Sequence, residues 1–327
     1  MKIIFFSGLF ILAFTCSFTG REAPVEEGGT TALPASFVDG LVLVRPVTSD
    51  GDTLTFLTDT GGSLLIYEDA VQRMNLETVS TRMQGMPIQA IFLPGFRTEA
   101  AIPPPLFTNE MIKLRRQGDI PPHLRRLPDH DGTLGQAWFA DRVWTFDYSE
   151  EKLWLHSDGY LPGHNPEDLI ELGFQTTSDG ARQNNFPRIM VGIAGEINSL
   201  VLQTGGAIFP AAQATSLVQG NQQWMSSSFI SESIFEIWRD KHPEWRVIED
   251  ADGFYGAPMI EVPNITIGNV SQGPVWFTKR RDFAYMEWMS RYTDEPVVGA
   301  LGGNALHNLR ITLDYVNARA IVQQPDS

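Results

Sequence analysis

Two short stretches hold the side chains whose types and spacing could do chemistry. In the first, Thr53-Leu54-Thr55-Phe56-Leu57-Thr58 climbs into Asp59-Thr60-Gly61-Gly62. A period of two in Thr, Phe and Leu predicts a strand, and the glycines predict a sharp turn straight after it. One carboxylate then stands at a strand end on a tight loop, where the Thr60 hydroxyl and backbone N–H groups can fix its orientation. A carboxylate held this way can act as a base toward water. In the second stretch, Glu196-Ile197-Asn198-Ser199-Leu200-Val201-Leu202 climbs into Gln203-Thr204-Gly205-Gly206. Gln203 cannot ionise, but its amide can donate to a carbonyl oxygen. The candidate catalytic residues are Asp59, Thr60 and Gly61 with Gln203, Thr204 and Gly205.

The elements that must position these residues also occur twice. Residues 41–47 read as a strand before the turn Ser49-Asp50-Gly51-Asp52, and residues 189–193 as a strand before Ala194-Gly195. Each copy closes on a similar block. Gly132-Thr133-Leu134-Gly135 leads to Thr145-Phe146-Asp147-Tyr148, and Gly299-Ala300-Leu301-Gly302 leads to Thr312-Leu313-Asp314-Tyr315. The closing blocks align without a gap and share Gly, Leu, Gly, Thr, Asp and Tyr. An internal repeat of this kind predicts two similar structural units.

On these residues the chain resembles the aspartic peptidase superfamily, with two retropepsin-like lobes joined as in pepsin-like enzymes. The resemblance covers residues 37–322. It implies a mainly β, bilobal molecule: two pseudo-twofold-related, barrel-like lobes with short helices, a cleft between them, and one catalytic Asp from each. In such enzymes two close carboxyls share one proton. The ionised one takes a proton from water while the protonated one hydrogen-bonds the scissile carbonyl. This chain supplies Asp59 and departs at Gln203. Without a second carboxyl, Asp59 is expected to titrate like an ordinary carboxylate. Residues 68–76 read as a short helix after the first loop, with 211–218 as its counterpart after the second. Residues 84–92 read as a turn and strand of a flap over the cleft. Pepsin-like flaps carry a tyrosine, and none stands here between Tyr67 and Tyr148.

At the N-terminus, Met1-Lys2 and the apolar run at 3–14 form a charged region and a hydrophobic region too short to span a bilayer. They predict an export signal over residues 1–16. Cys16 is the one cysteine in the chain, so it has no internal disulfide partner, and its position suits lipid attachment. The expected location is a bacterial cell envelope, as a lipoprotein on the periplasmic or outer-membrane face, or otherwise secretion. Residues 17–36 read as a flexible tether, 37–160 as the first lobe, 161–180 as the connection and 181–323 as the second lobe. A formal net charge of −15 and a pI near 4.8 argue against nucleic-acid binding, which needs a basic stripe. Membrane contact is expected only through the N-terminal lipid. No cofactor and no metal are expected, and the chain reads as a monomer.

Other segments read as structural. Residues 101–128 hold Pro103-Pro104-Pro105, Pro121-Pro122 and the basic Lys113, Arg115, Arg116, Arg125 and Arg126. The prolines are expected to exclude regular strands and leave a loop-rich insertion with a solvated basic surface. Asp129-His130-Asp131 are adjacent and cannot all face one ion from a strand, so they read as a loop. Residues 231–245 read as a helix ended by Pro243, with Phe235, Ile237, Trp238 and Trp245 as lobe core. Residues 259–278 read as a hairpin or meander.

Three functions fit these observations. The first is a degenerate peptidase whose cleft binds peptides or envelope proteins. The second is an active aspartic-type endopeptidase, working through Asp59 with Gln203 or through Asp59 residues paired between two chains. The third is a structural envelope scaffold.

Overall fold

A computed structural model of the chain describes residues 26–27, 29–83, 86–98, 101–106, 111–116, 130–217 and 224–324. The export-signal reading at 1–16 and the lipid-attachment reading of Cys16 lie outside the described residues. The molecule is mainly β and bilobal. A seven-stranded antiparallel sheet joins the lobes, and its middle pair is Val143–Asp147 and Arg310–Asp314. Thr145 lies opposite Thr312 in that pair, so the two closing blocks meet across the pseudo-twofold axis. Every residue of Val143–Asp147 is buried, as a strand covered on both faces requires.

The first lobe is an eight-stranded sheet and the second a nine-stranded one. In each, the strand leading to the candidate loop lies parallel to the closing block. Phe56–Thr58 pairs with Gly132–Leu134, and Glu196–Gln203 with Gly299–Gly302. The registers coincide: Thr58 faces Leu134, and Leu202 faces Leu301. The glycines of the closing blocks follow from this crowding. A Cβ on Gly135 would lie 2.3 Å from the Gly62 carbonyl oxygen, and one on Gly302 would lie 2.2 Å from that of Ser227. Backbone passes where a side chain would stand, so only glycine fits.

Among the described residues neither lobe sheet closes on itself. Their orders run from Ala35–Val38 to Thr78–Met83 and from Val247–Asp252 to Val270–Gln272, and the edge strands are hairpin arms paired on one side only. Under the inter-lobe sheet sits an aromatic core. Trp138, Phe139, Trp144, Phe146 and Tyr315 are all fully buried, and the Trp138 and Trp144 rings lie 4.3 Å apart.

Several expectations need correction. Part of the stretch read as a flexible tether is ordered: Thr30–Leu33 pairs with Lys152–His156, and Ala35–Val38 with Leu41–Val44. Thr30 is fixed further by its hydroxyl against His156 Nδ1 at 2.9 Å. The proline-rich insertion contains a strand, Met111–Arg115, parallel to Leu65–Tyr67 and antiparallel to Met86–Phe92. Its prolines constrain only their own positions, and five proline-free residues between them suffice to pair. Pro103 and Pro104 offer their carbonyls to Trp138 Nε1 and Arg142, both at 2.8 Å. Arg125 and Arg126 lie outside the described residues. The connection at 161–180 carries a strand, Leu169–Glu171, added to the inter-lobe sheet. Among the described residues of the expected counterpart helix at 211–218 there is a 3-10 turn, Thr215–Leu217, whereas Glu68–Arg73 is a short α-helix. In the helix Glu232–Lys241, Phe235 and Trp238 are buried, but Ile237 faces out at 43% exposure.

The meander at 259–278 forms as read, from Ala257–Val262, Ile265–Ile267, Val270–Gln272 and Val275–Arg280. Asp131 ties its loop down. Its backbone donates to the Thr55 carbonyl at 2.6 Å, its carboxylate accepts from Thr55 N at 2.7 Å, and it pairs with Arg73 at 2.9 Å. His130 is buried beside it, bonded to the Gly132 carbonyl, and burial pushes its imidazole down to about 4. Among the described residues no group of three His, Cys, Asp or Glu converges on one point.

Candidate functional site between the lobes

The two Thr-Gly-Gly loops meet where the lobes join. Thr60 Oγ1 donates to the Leu202 carbonyl at 2.6 Å and accepts from Thr204 N at 3.1 Å. Reciprocally, Thr204 Oγ1 accepts from Thr60 N at 3.2 Å and donates to the Thr58 carbonyl at 3.4 Å. Both threonines are completely buried. Each hydroxyl thus satisfies a donor and an acceptor of the other lobe's strand end, which would otherwise be costly buried orphans. The loops approach so closely that each glycine makes room for the opposite functional side chain. A Cβ on Gly61 would lie 2.8 Å from Gln203 Cβ, and one on Gly205 would lie 2.5 Å from Asp59 Cβ. All six sequence-predicted residues therefore come together at one place.

Asp59 is 7% exposed. Its Oδ1 accepts from Gly61 N at 3.0 Å and from Gly205 N at 3.3 Å, one donor from each lobe. The Gln203 side chain lies close enough to the same carboxyl to lower its pKa. Burial raises the pKa of Asp59 to about 6, outweighing the lowering effect of the Gly205 and Gly61 hydrogen bonds and of the nearby Gln203 side chain. This corrects the expectation of an ordinary carboxylate. Desolvation among the packed loops does what a second carboxylate does by charge repulsion. A neutral amide faces a carboxyl of raised proton affinity, and the pair holds a single titratable group.

The seat opposite Asp59 is filled by the chain's own second loop, with Thr204 gripped and Gly205 against Asp59. No space is left there for Asp59 of another chain, and the reading of catalysis by an Asp59–Asp59 dimer is withdrawn. Thr78–Met83 and Met86–Phe92, in the segment read as a flap, pair as a hairpin, and the turn at 84–85 lies outside the described residues.

The sequence did not point to Tyr285. Its hydroxyl donates to Gln203 Oε1 at 3.4 Å from a π-helical turn, Phe283–Trp288, that has no partner in the repeat. Tyr148 and Tyr315 were read only as strand ends. Both phenols are buried and pushed up by that burial, with the charge of Asp59 adding to it and that of Arg182 opposing it at Tyr315. Their place in the repeat, straight after Asp147 and Asp314, was the available signal.

No protein-family model and no curated protein matches the chain. Solved structures similar to it include conglutin gamma, a basic 7S globulin from lupine seeds, at 12% identity over 92% of this chain and 96% of that one, with a TM-score of 0.47. An aspartic proteinase from Irpex lacteus matches at 12% identity over 90% and 97%, with a TM-score of 0.46. The structure of edgp matches at 11% identity over 93% and 96%, with a TM-score of 0.41. Likenesses at this distance carry no argument about activity, and the fold described above rests on the chain's own strand pairings.

Proposed function

We propose that this chain is an exported, aspartic-peptidase-like protein whose inter-lobe cleft binds peptides or envelope proteins without efficiently cutting them. One observation carries the reading: the carboxyl of Asp59 faces the amide of Gln203. Peptide hydrolysis needs a base that takes a proton from water and an acid that returns one. A lone carboxyl beside an amide lacks the paired proton store, and each general acid–base step is worth roughly 10²–10⁴-fold. The partial exposure of Gln203, whose amide can donate, suits recognition of a peptide carbonyl. The sequence at 1–16 and Cys16 extend the proposal to a lipid-anchored protein of a bacterial cell envelope.

A second reading, a slow hydrolase, is favoured by the raised pKa of Asp59. A carboxyl titrating near 6 is a better base near neutral pH than one near 3.8. The soluble chain from Arg21, incubated with a mixed peptide library from acid to neutral pH, separates the readings. Retained, uncut peptides are the expected outcome. Cleavage that disappears in Asp59→Asn replaces the proposal with the hydrolase, and neither retention nor cleavage replaces it with the scaffold.

A further inference from the structure

We propose that Tyr285 is a positioning residue of the candidate site: its hydroxyl holds the Gln203 amide with Oε1 turned away from Asp59 and its N–H hydrogens turned toward the Asp59 carboxyl. A side-chain amide has an acceptor end and a donor end, and a flip exchanges them. With Oε1 toward Asp59, two acceptors would confront each other. With Nε2 toward Asp59, the amide serves as a donor, and Oε1 needs a donor of its own. Tyr285 supplies one at 3.4 Å.

The surroundings of Tyr285 are built to keep that hydroxyl in place. The side chain is 7% exposed, and its ring lies against Phe229 at 6.4 Å and 22°. It sits in the π-turn Phe283–Trp288, whose extra residue per turn re-aims side chains relative to an α-helix. Ser290 Oγ donates to the Tyr285 carbonyl at 2.7 Å and accepts from Val297 N at 2.9 Å, which fixes the turn from behind. In front, Asp282 accepts from Ser233 N and Oγ at 2.9 and 3.0 Å. Burial, reinforced by the charge of Asp59 and opposed by that of Arg280, pushes the phenol well above its ordinary range, so it keeps its proton and donates. The other titratable groups that sense Asp59 are Tyr148 and Tyr315 at the two strand ends.

The inference shares the site proposed above but needs no substrate, so peptide retention and this device fail separately. The test is the ¹³C-carboxyl titration of Asp59 in the full chain, with its signal assigned by its loss in Asp59→Asn. Gln203→Ala should raise the midpoint by about one pH unit, the value of a lost hydrogen bond to a charged group. Tyr285→Phe keeps the ring and should raise it by about half as much. The double variant should match Gln203→Ala alone. An unchanged midpoint in Tyr285→Phe, additive shifts in the double variant, or no shift in Gln203→Ala overturns the proposal. Should Tyr285→Phe not fold, the Gln203 side-chain ¹⁵N signals of the wild type decide. Amide protons that exchange slowly with solvent and move with the Asp59 titration are expected, and amide protons that exchange at the rate of an exposed glutamine and ignore that titration overturn the proposal.

Discussion

The two loops between the lobes have the same backbone and different chemistry. Around the first, Asp59 takes N–H donors from both lobes, Gly61 of its own and Gly205 of the other. Around the second, Gln203 accepts from the Tyr285 hydroxyl and lies beside the Asp59 carboxyl. What is kept in both copies is Thr-Gly-Gly, the part that lets two strand ends approach and satisfy each other. The ionisable group is present once. The scaffold therefore demands the threonines and glycines but does not demand the second carboxyl, and the pairing of lobes is separable from acid–base chemistry.

Asp59→Asn should break the comparison most strongly. The folded carboxyl titrates near 6 and the unfolded one near 3.8, so the folded state holds the proton more tightly. Stability from this group is present below pH 3.8 and is lost as pH rises to about 6, by of order 3 kcal/mol at full extent. His130 and His156, held near 4 by burial, act in the opposite sense, losing stability as pH falls from 6.5 toward 4. The difference between wild type and Asp59→Asn in denaturant unfolding isolates Asp59. It should grow in the variant's favour between about pH 4 and pH 6, and a flat difference contradicts the burial of its charge.

The threonine grip should prove unequal. Thr60 donates across the lobes at 2.6 Å, whereas Thr204 reaches back at 3.4 Å. Thr60→Val should cost about 2 kcal/mol in chemical denaturation, leaving the Leu202 carbonyl and Thr204 N without partners, and Thr204→Val about 1. Equal losses would mean that the grip is symmetric in solution.

The smallest effect should come from the paired Asp-Tyr strand ends. Burial alone would raise the pKa of Asp147, but bonds from Ser149, the Glu150 backbone and Arg310 outweigh it and hold the carboxyl below its ordinary value. Arg310 reaches it from the other lobe, with Nη2 at 2.6 Å and Nε at 2.7 Å. Its counterpart Asp314 is instead bonded within its own lobe by Asn317 and Arg319. Arg310→Gln should lower stability by about 1 kcal/mol at neutral pH, since Arg310 is partly exposed. The loss should shrink as pH falls through the Asp147 titration. A loss that persists in acid would point to packing of the arginine stem.

Much of this architecture was legible because the geometry of the meeting point leaves few residue choices. Gly135 and Gly302 stand where neighbouring backbone passes, and Thr60 and Thr204 carry the hydroxyls that cross the lobes, so these positions recur in both halves. The titration of Asp59 was not legible. It depends on desolvation by atoms of both lobes, and no local pattern encodes that. Tyr285 contacts Gln203 from 82 residues away without a repeat partner, so nothing local marks it. The strands Thr30–Leu33 and Met111–Arg115 were hidden by polar and proline-rich surroundings, although each is long enough to pair with a ready edge. Ile237 was assigned to the core on type alone, while the helix turns that position outward.

The most direct test of the central claim is peptide cleavage by wild type and Gln203→Asp side by side, across acid to neutral pH on one mixed peptide library. The loops already hold the second seat against Asp59, so a carboxyl placed there should share a proton with it. Cleavage by the variant should exceed that of the wild type by about 10²-fold or more and vanish again when Asp59→Asn is added. A folded Gln203→Asp variant with no gain, or a wild type that already cleaves as fast, would contradict the claim that the missing carboxyl is what separates this protein from a peptidase.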